Sequence, residues 1–309
     1  MNVLNVASGK TRKRKERSEK ARRDARNFYV YISPWLIGFL VLTIYPILRS
    51  FWLMFTDTAL TGQGQFVGLR NWVYAFNTDP IFLKAFGNTL FYVVLFVPSC
   101  LIISFVVALL LAQDIKFLGF FRTVFYLPYI TAGVAVTILW GWIYNNDLGL
   151  LNYVLSLVGI EGPNWLGDPS VAMISIVILS LWTIGNNIII MLAGIQDIPV
   201  SYYESARIDG ASELRCVFNI TLPLSTPTIY FNLVVTTIAA FQIFDQPYIL
   251  TNGGPMNSTF TVAMHMFRNA FEYGKMGYGS MIAWGLFIII MALTLIIQLS
   301  SKKWVFYDN

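Results

Sequence analysis

With one histidine, His265, and two cysteines, Cys100 and Cys216, in 309 residues, the chain has little with which to do covalent, metal or acid–base chemistry. The cysteines lie far apart, so neither a disulfide framework nor a thiolate metal site follows. No carboxylates are paired at a spacing that makes an acid–base dyad, and a lone histidine supports no triad. Gly9-Lys10-Thr11 ends like a phosphate-binding loop, but position 4 is leucine rather than glycine and no strand precedes it. The chain is therefore expected to bind no metal and no nucleotide of its own. Two other sets of polar residues remain. One is a stretch from Tyr203 to Pro223 whose spacing suits docking. The other is a scatter of amides and hydroxyls inside long apolar runs, where a polar group needs a partner.

Those runs decide the class. The chain is 56% hydrophobic and 12% charged, against roughly 25% charged in soluble domains. About 20 residues at 1.5 Å rise cross the ~30 Å hydrocarbon core. Six runs meet that length, at about 28–48, 89–112, 123–144, 170–192, 226–244 and 279–299. The expected fold is all-α, a polytopic membrane protein with six transmembrane helices over residues 28–305. Pro34, Pro46, Pro98 and Pro128 fall inside or near span ends, where neighbouring helices can satisfy the groups a proline frees.

Residues 1–27 hold ten of the 21 Lys and Arg. They read as an unstructured basic tail that fixes topology, or as a patch for anionic lipid. The following apolar run is too long for a signal peptide and lacks its cleavage site. With the N-terminus inside, sixteen basic residues lie on the inner side and five on the outer, mostly because of the tail. An even number of spans returns the C-terminus to the cytoplasm. The charge is not a nucleic-acid signature, and no nucleic-acid partner is expected. Lipid surrounds the spans. The outer loops carry Trp52, Trp72 and Tyr74, residues of a membrane interface, and the turn Thr251-Asn252-Gly253-Gly254-Pro255.

The longest interior loop, residues 197–223, is built to form helices. Pro199 suits a first turn. Ser201 with Glu204 has the spacing of a capping box. Gly210 is placed to end the helix in a left-handed turn. A second helix from about Ala211 to Ile220 would be broken by Leu222-Pro223. The product is a compact knob projecting from the membrane.

At this loop a resemblance becomes specific. It resembles the signature loop in the membrane subunits of binding-protein-dependent ABC importers: Glu-Ala-Ala, three residues, Gly, nine residues, Ile, one residue, Leu-Pro. Glu204, Ala206, Gly210, Ile220, Leu222 and Pro223 stand at that spacing, and Ser205 replaces the first alanine. The wording Ala206-Arg207-Ile208-Asp209-Gly210-Ala211 is similar to the carbohydrate branch of the family. So are Leu250-Thr251-Asn252-Gly253-Gly254-Pro255 and the early Ser33-Pro34-Trp35 and Tyr45-Pro46.

The resemblance covers about residues 28–305 and implies a type I ABC importer permease fold. It implies a bacterial cell-membrane subunit, not an enzyme, that works beside a second homologous permease and two copies of a cytoplasmic ABC ATPase. ATP and Mg²⁺ would be used by the ATPase. An extracellular solute-binding protein would deliver a di- or oligosaccharide. The loop would be the coupling helix. Glu204 would pair with a basic residue of the ATPase, and Ser205 would still pack in place of the alanine. Ala206 and Gly210 would allow close approach, Asp209 would add a polar contact or a cap, and Leu222-Pro223 would fix how the knob joins the fifth span.

Candidate pathway residues are Trp182, Asn186 and Asn187 in the fourth span. In and near the fifth they are Asn232, Thr236, Gln242 and Asp245. Trp182 and Asn186 are four apart, as are Asn232 and Thr236, which puts each pair on one helical face. An aromatic plane beside amides suits a sugar. The plainer reading is interhelical hydrogen bonding. Two further readings stay open: an importer permease for another solute such as glycerol phosphate, and an ion-coupled carrier. The carrier would need intramembrane charges for its coupling ion, and Asp245 near a span end is the one candidate.

Overall fold

A computed structural model describes residues 4–113 and 116–306, with side chains from residue 22 onward. Among the described residues there is no strand beyond one isolated bridge, Thr56 to Phe66. The chain divides into two compact units at Leu53 and Met54.

In the first unit, α1 (Leu4–Phe39) passes through a π-helical turn (Leu40–Ile44) into α2 (Tyr45–Leu53). From Leu4 onward, the stretch expected to be unstructured is thus helical, and it continues without a break into the first apolar run; residues 1–3 lie outside the described residues. Its composition explains this. It is rich in Lys, Arg, Glu and Ala, which are strong helix formers, and it has no proline before Pro34. The π turn closes at Tyr45, whose N–H donates to the Leu40 carbonyl, and Pro46 follows at once. Widening the helix just before a proline relieves the clash of its ring with the preceding turn.

The second unit begins with the short α3 (Arg70–Asn77), followed by α4 (Phe82–Leu111). Then come α5 (Leu118–Ile130), α6 (Gly133–Ile143), α7 (Leu150–Leu157), α8 (Ala172–Trp182) and α9 (Gly185–Gln196). The knob is α10 (Val200–Ile208), α11 (Glu213–Cys216), a second π turn (Val217–Thr221) and α12 (Leu222–Leu224). The chain ends with α13 (Thr226–Phe241), α14 (Asp245–Leu250), α15 (Val262–Phe267), a third π turn (Arg268–Glu272) and α16 (Met276–Ser301).

α4 is the axis of this unit and packs against α8, α9 and α13. Its inward stripe is made of small residues: Ala85, Thr89, Cys100, Ser104 and Ala108 are fully buried. Large residues such as Leu83, Val94, Ile102 and Leu110 face outward. Lipid tails are as apolar as leucine, so helices in a membrane gain by close packing and not by escaping solvent, and small residues permit that approach. Two contact points elsewhere follow the same rule. A side chain at Gly194 would collide with Thr228 of α13, and one at Gly185 with the Phe125 backbone of α5.

Two of the six apolar runs are not single straight helices. α5 and α6 meet at a bend of 97°, and α8 and α9 at 49°. In the first, Thr131 and Ala132 are extended, three residues after Pro128. In the second, Thr183 and Ile184 leave helical geometry where Gly185 presses on α5. Among the described residues, four helices are each long and apolar enough to cross a membrane, and up to six spans result if each bent pair counts as one.

Candidate coupling and pathway site

α10 ends in a complete Schellman motif. Gly210 has φ +78°. Its N–H donates to the Arg207 carbonyl at 3.0 Å, and the Ala211 N–H donates to the Ala206 carbonyl at 2.9 Å. This is the pair of bonds that satisfies the last carbonyls of a helix, and it requires a residue at ease with positive φ. The start of α10 differs from the capping-box expectation. Pro199 itself occupies the cap position and no side chain caps the helix, so Ser201 lies inside the first turn. Proline already has the backbone angle that the entry needs.

The second half of the knob also differs. It starts at Glu213 rather than Ala211, because Ser212 is the cap and its Oγ accepts the Arg215 N–H. Nor does Leu222-Pro223 break it. The π turn closes with the Leu222 N–H on the Val217 carbonyl, and the helix passes through Pro223 to Leu224 before turning at Ser225. The proline is absorbed as it is at Pro46, by a π turn that ends just before it.

The knob is braced from within. Arg207 pairs with Glu213 at 3.0 Å, joining α10 to α11. The Tyr203 hydroxyl meets Thr221 Oγ1 at 3.0 Å, joining α10 to the second π turn. Tyr203 and Ala206 are the inward side of α10. The outward side carries Val200, Glu204 and Ile208, spaced four apart. Ser205, Asp209 and Gly210 are exposed too, while Leu222 and Pro223 are half-buried. Glu204 makes no ion pair or hydrogen bond among the described residues, and Ile208 is 87% exposed. Leu214 and Phe218 add to the exposed apolar surface. These three apolar residues went unread in the sequence. The signal was there, as large apolar side chains in a loop otherwise polar.

The pathway candidates fall into two groups. Asn187 donates to Asn232 Oδ1 at 3.0 Å and to Thr236 Oγ1 at 2.7 Å, and Asn232 donates to the Thr228 carbonyl at 3.1 Å. Asn232 and Thr236 are buried. These three residues fasten α9 to α13. Trp182 and Asn186, expected on one face, are instead separated by the α8–α9 break, so the four-residue rule for a continuous helix does not apply. Trp182 is exposed and stands edge-on to Trp140 at 6.0 Å. Asn186 is half-buried and has no hydrogen-bond partner among the described residues. Gln242 and Asp245 are exposed beyond the end of α13. Gln242 lines a largely apolar groove of about 730 Å³ with Ile238, Phe244, Phe267 and Met291.

On the face away from the knob, by span order, lies a polar cluster built from distant positions. Asp79 Oδ2 accepts from His265 Nε2 at 2.8 Å and from the Tyr278 hydroxyl at 2.7 Å. Its Oδ1 accepts the Ile81 N–H at 2.9 Å. Asn269 Nδ2 lies 3.3 Å from His265 Nδ1. A donor there requires Nδ1 to be unprotonated, so the ring is assigned as neutral with its proton on Nε2. Burial pushes the His265 pKa down and outweighs the opposing pull of Asp79. Burial alone would raise the Asp79 carboxyl, but the Tyr278 hydroxyl, the Ile81 amide and His265 together hold it below its ordinary value. The cluster ties the start of α4 to α15 and α16. Among the described residues no group of histidines, cysteines and carboxylates could hold a metal.

Comparison with known proteins adds the context. Residues 80–303 match the model of the family described as "Binding-protein-dependent transport system inner membrane component". The chain is 39% identical over 298 residues to the probable ABC transporter permease protein YesP of Bacillus subtilis (strain 168), covering 95% of this chain and 96% of that one. It is 34% identical over 277 residues to the trehalose/maltose transport system permease protein MalF of Thermococcus litoralis, covering 89% and 93%. It is 31% identical over 275 residues to the arabinooligosaccharides transport system permease protein AraP of Bacillus subtilis (strain 168), covering 87% and 86%. Its fold matches a chain of a bacterial alginate ABC transporter, solved in complex with an alginate pentasaccharide-bound periplasmic protein. The TM-score is 0.81 at 22% identity, over 92% of this chain and 96% of that one.

Proposed function

We propose that this chain, which belongs to the family of binding-protein-dependent transport system inner membrane components, is a permease subunit of an ATP-driven sugar importer. It is a multi-pass membrane protein. The cargo is a di- or oligosaccharide, a reading supported by relatives named for trehalose/maltose, arabinooligosaccharides and lactose. Glycerol phosphate and ion-coupled transport find no such support. The chain works with a second homologous permease, two copies of a cytoplasmic ABC ATPase and an extracellular solute-binding protein. ATP and Mg²⁺ belong to the ATPase. Both termini lie in the cytoplasm, so that the knob meets the ATPase.

The observation that carries this reading is the knob itself, a braced polar element that presents the unpaired Glu204 beside bare apolar side chains. A helix laid in a groove is held by such an apolar anchor with a charge at its edge. Glu204 pairs with a basic residue of the ATPase, Ile208 fills its groove, and the exposed Ser205, Asp209 and Gly210 allow the backbone to come close, while Ala206 packs α10 against the rest of the knob. The bracing matters for mechanism. When the ATPases close on ATP, a rigid knob moves as a body and carries α9 on one side and α13 on the other. Those two helices are locked by the contact of Gly194 with Thr228 and by the hydrogen bonds of Asn187. Displacement at the knob therefore reaches the breaks in the spans, where backbone leaves helical geometry. Irregular backbone at membrane depth is tolerated where it is buried in protein or faces water. Trp182 and Asn186 sit at such a break and are assigned to the sugar path, with Gln242 and Asp245 near its outer end. Asn187, Asn232 and Thr236 are assigned to the frame around it.

Mild-detergent purification of the tagged chain from native membranes, with mass spectrometry of what stays bound, tests the assembly. A second permease and an ABC ATPase are expected. A chain that comes out alone and carries sugar into liposomes without ATP contradicts the proposal.

A further inference from the structure

α7 carries its apolar residues on the wrong side for a helix bathed in water. Leu150, Tyr153, Val154, Leu157 and Val158 recur at helical spacing and are all exposed, Leu157 and Val158 at 68% and 70%. The polar Asn152 points the other way. Its Oδ1 accepts the Trp165 Nε1–H at 2.7 Å and its Nδ2 donates to the Asn146 carbonyl at 3.0 Å. Tyr144 braces the same corner by donating to the Ser175 carbonyl at 2.7 Å. The orientation of the stripe is therefore held by specific bonds. No Asp, Glu, Lys or Arg occurs from Leu148 to Ile160.

We infer that α7 lies in the interfacial layer of the membrane, on the leaflet away from the coupling knob, with this stripe at the boundary of the acyl chains. Three observations select lipid as the occupant. The stripe continues a surface that already belongs to the membrane, because only six residues separate α6 from α7 and α6 exposes Ile138, Leu139 and Trp142 up to its end. At eight residues α7 is about 12 Å long, too short to span and long enough to lie flat. The stripe has no charge and includes a tyrosine, as interfacial segments do. The flanking residues Asp147, Glu161 and Asp168, with no Lys or Arg over 145–168, also disfavour pairing with anionic headgroups. The lipid contact is thus with the apolar zone of any bilayer. This inference rests on membership of a membrane-embedded family and not on cargo or coupling.

Spin-label accessibility tests it. Tyr153→Cys and Leu157→Cys are made in a Cys100→Ala, Cys216→Ala background, assembled with the partner subunits and placed in phosphatidylcholine nanodiscs. Asp147→Cys is the water-facing control, and Val158→Cys replaces either stripe variant that fails to assemble. Collisions with oxygen are expected to exceed those with a water-soluble nickel chelate at 153 and 157, and the reverse is expected at 147. Nickel access at 153 and 157 overturns the inference, since the stripe then faces water. Labels closed to both reagents overturn it equally, since protein then covers the stripe. Repeating that case without the binding protein tells whether the cover is the binding protein or a membrane partner.

Discussion

Asn187 and Asn186 are neighbours with opposite fates, and single substitutions separate them. The amide of Asn187 is committed to Asn232 and Thr236 on another helix. Asn187→Leu leaves those two buried groups without their donor and is expected to cost about 1 kcal/mol, read as a lower melting temperature in detergent. Asn186 has no such partner among the described residues, so Asn186→Leu is expected to spare the melting temperature and to lower uptake about tenfold at limiting sugar, the worth of one lost hydrogen bond. Unchanged uptake across several sugars would move Asn186 into the frame with Asn187. His265 makes a pH prediction. Its folded pKa is depressed, so below about pH 6.5 the unfolded chain binds a proton that the folded chain refuses. Stability is therefore full above pH 6.5 and falls as pH drops through the window beneath it. Asp79, also depressed, adds its loss only at lower pH, as its own folded value is approached. Melting curves from pH 8 to 5 check this, and His265→Gln is expected to flatten the fall. Interhelical hydrogen bonding was legible for the polar residues of the spans as a set, though not which of them pair; the Asp79–His265 pair was not legible, because the two lie 186 residues apart and no local pattern joins them.

At the scale of elements, much of the knob could be read directly. Glycine at 210 has one local meaning at the end of a helix, and the structure puts it at φ +78° in a Schellman turn. Gly210→Ala forces a side chain into that conformation at a cost of about 1–2 kcal/mol. Gly210→Pro is worse, since it fixes φ near −65° and removes the N–H that bonds Arg207. It is expected to leave the protein in the membrane with ATP hydrolysis uncoupled from uptake, which parallel hydrolysis and transport assays would show. Normal uptake would remove the coupling role. Where local rules failed, a competing interaction won. Pro223 was expected to stop a helix, but a π turn takes up the proline without breaking the rod. Trp182 and Asn186 were assigned one face by counting in fours, but Gly185 lets α9 press on α5 and the span bends between them. Apolar length marks where a chain can cross a membrane. It does not show where tertiary packing will break the crossing.

For the whole molecule, the coupling account requires that force enter at one place and spread through α9 and α13. Charge at the knob's outer face should then matter more than charge elsewhere on the same side. Glu204→Lys is expected to lower both recovery of the ATPase with the chain and sugar uptake, whereas Lys302→Glu at the C-terminus is expected to change neither. The most direct measurement is photo-crosslinking from Ile208, the most exposed large side chain on α10. A benzophenone amino acid at that position, illuminated in native membranes and followed by mass spectrometry, is predicted to join the chain to an ABC ATPase, with a yield that changes when ATP is trapped. A crosslink to lipid alone, or none at all while uptake proceeds, would contradict the claim that this knob is where the ATPase drives transport.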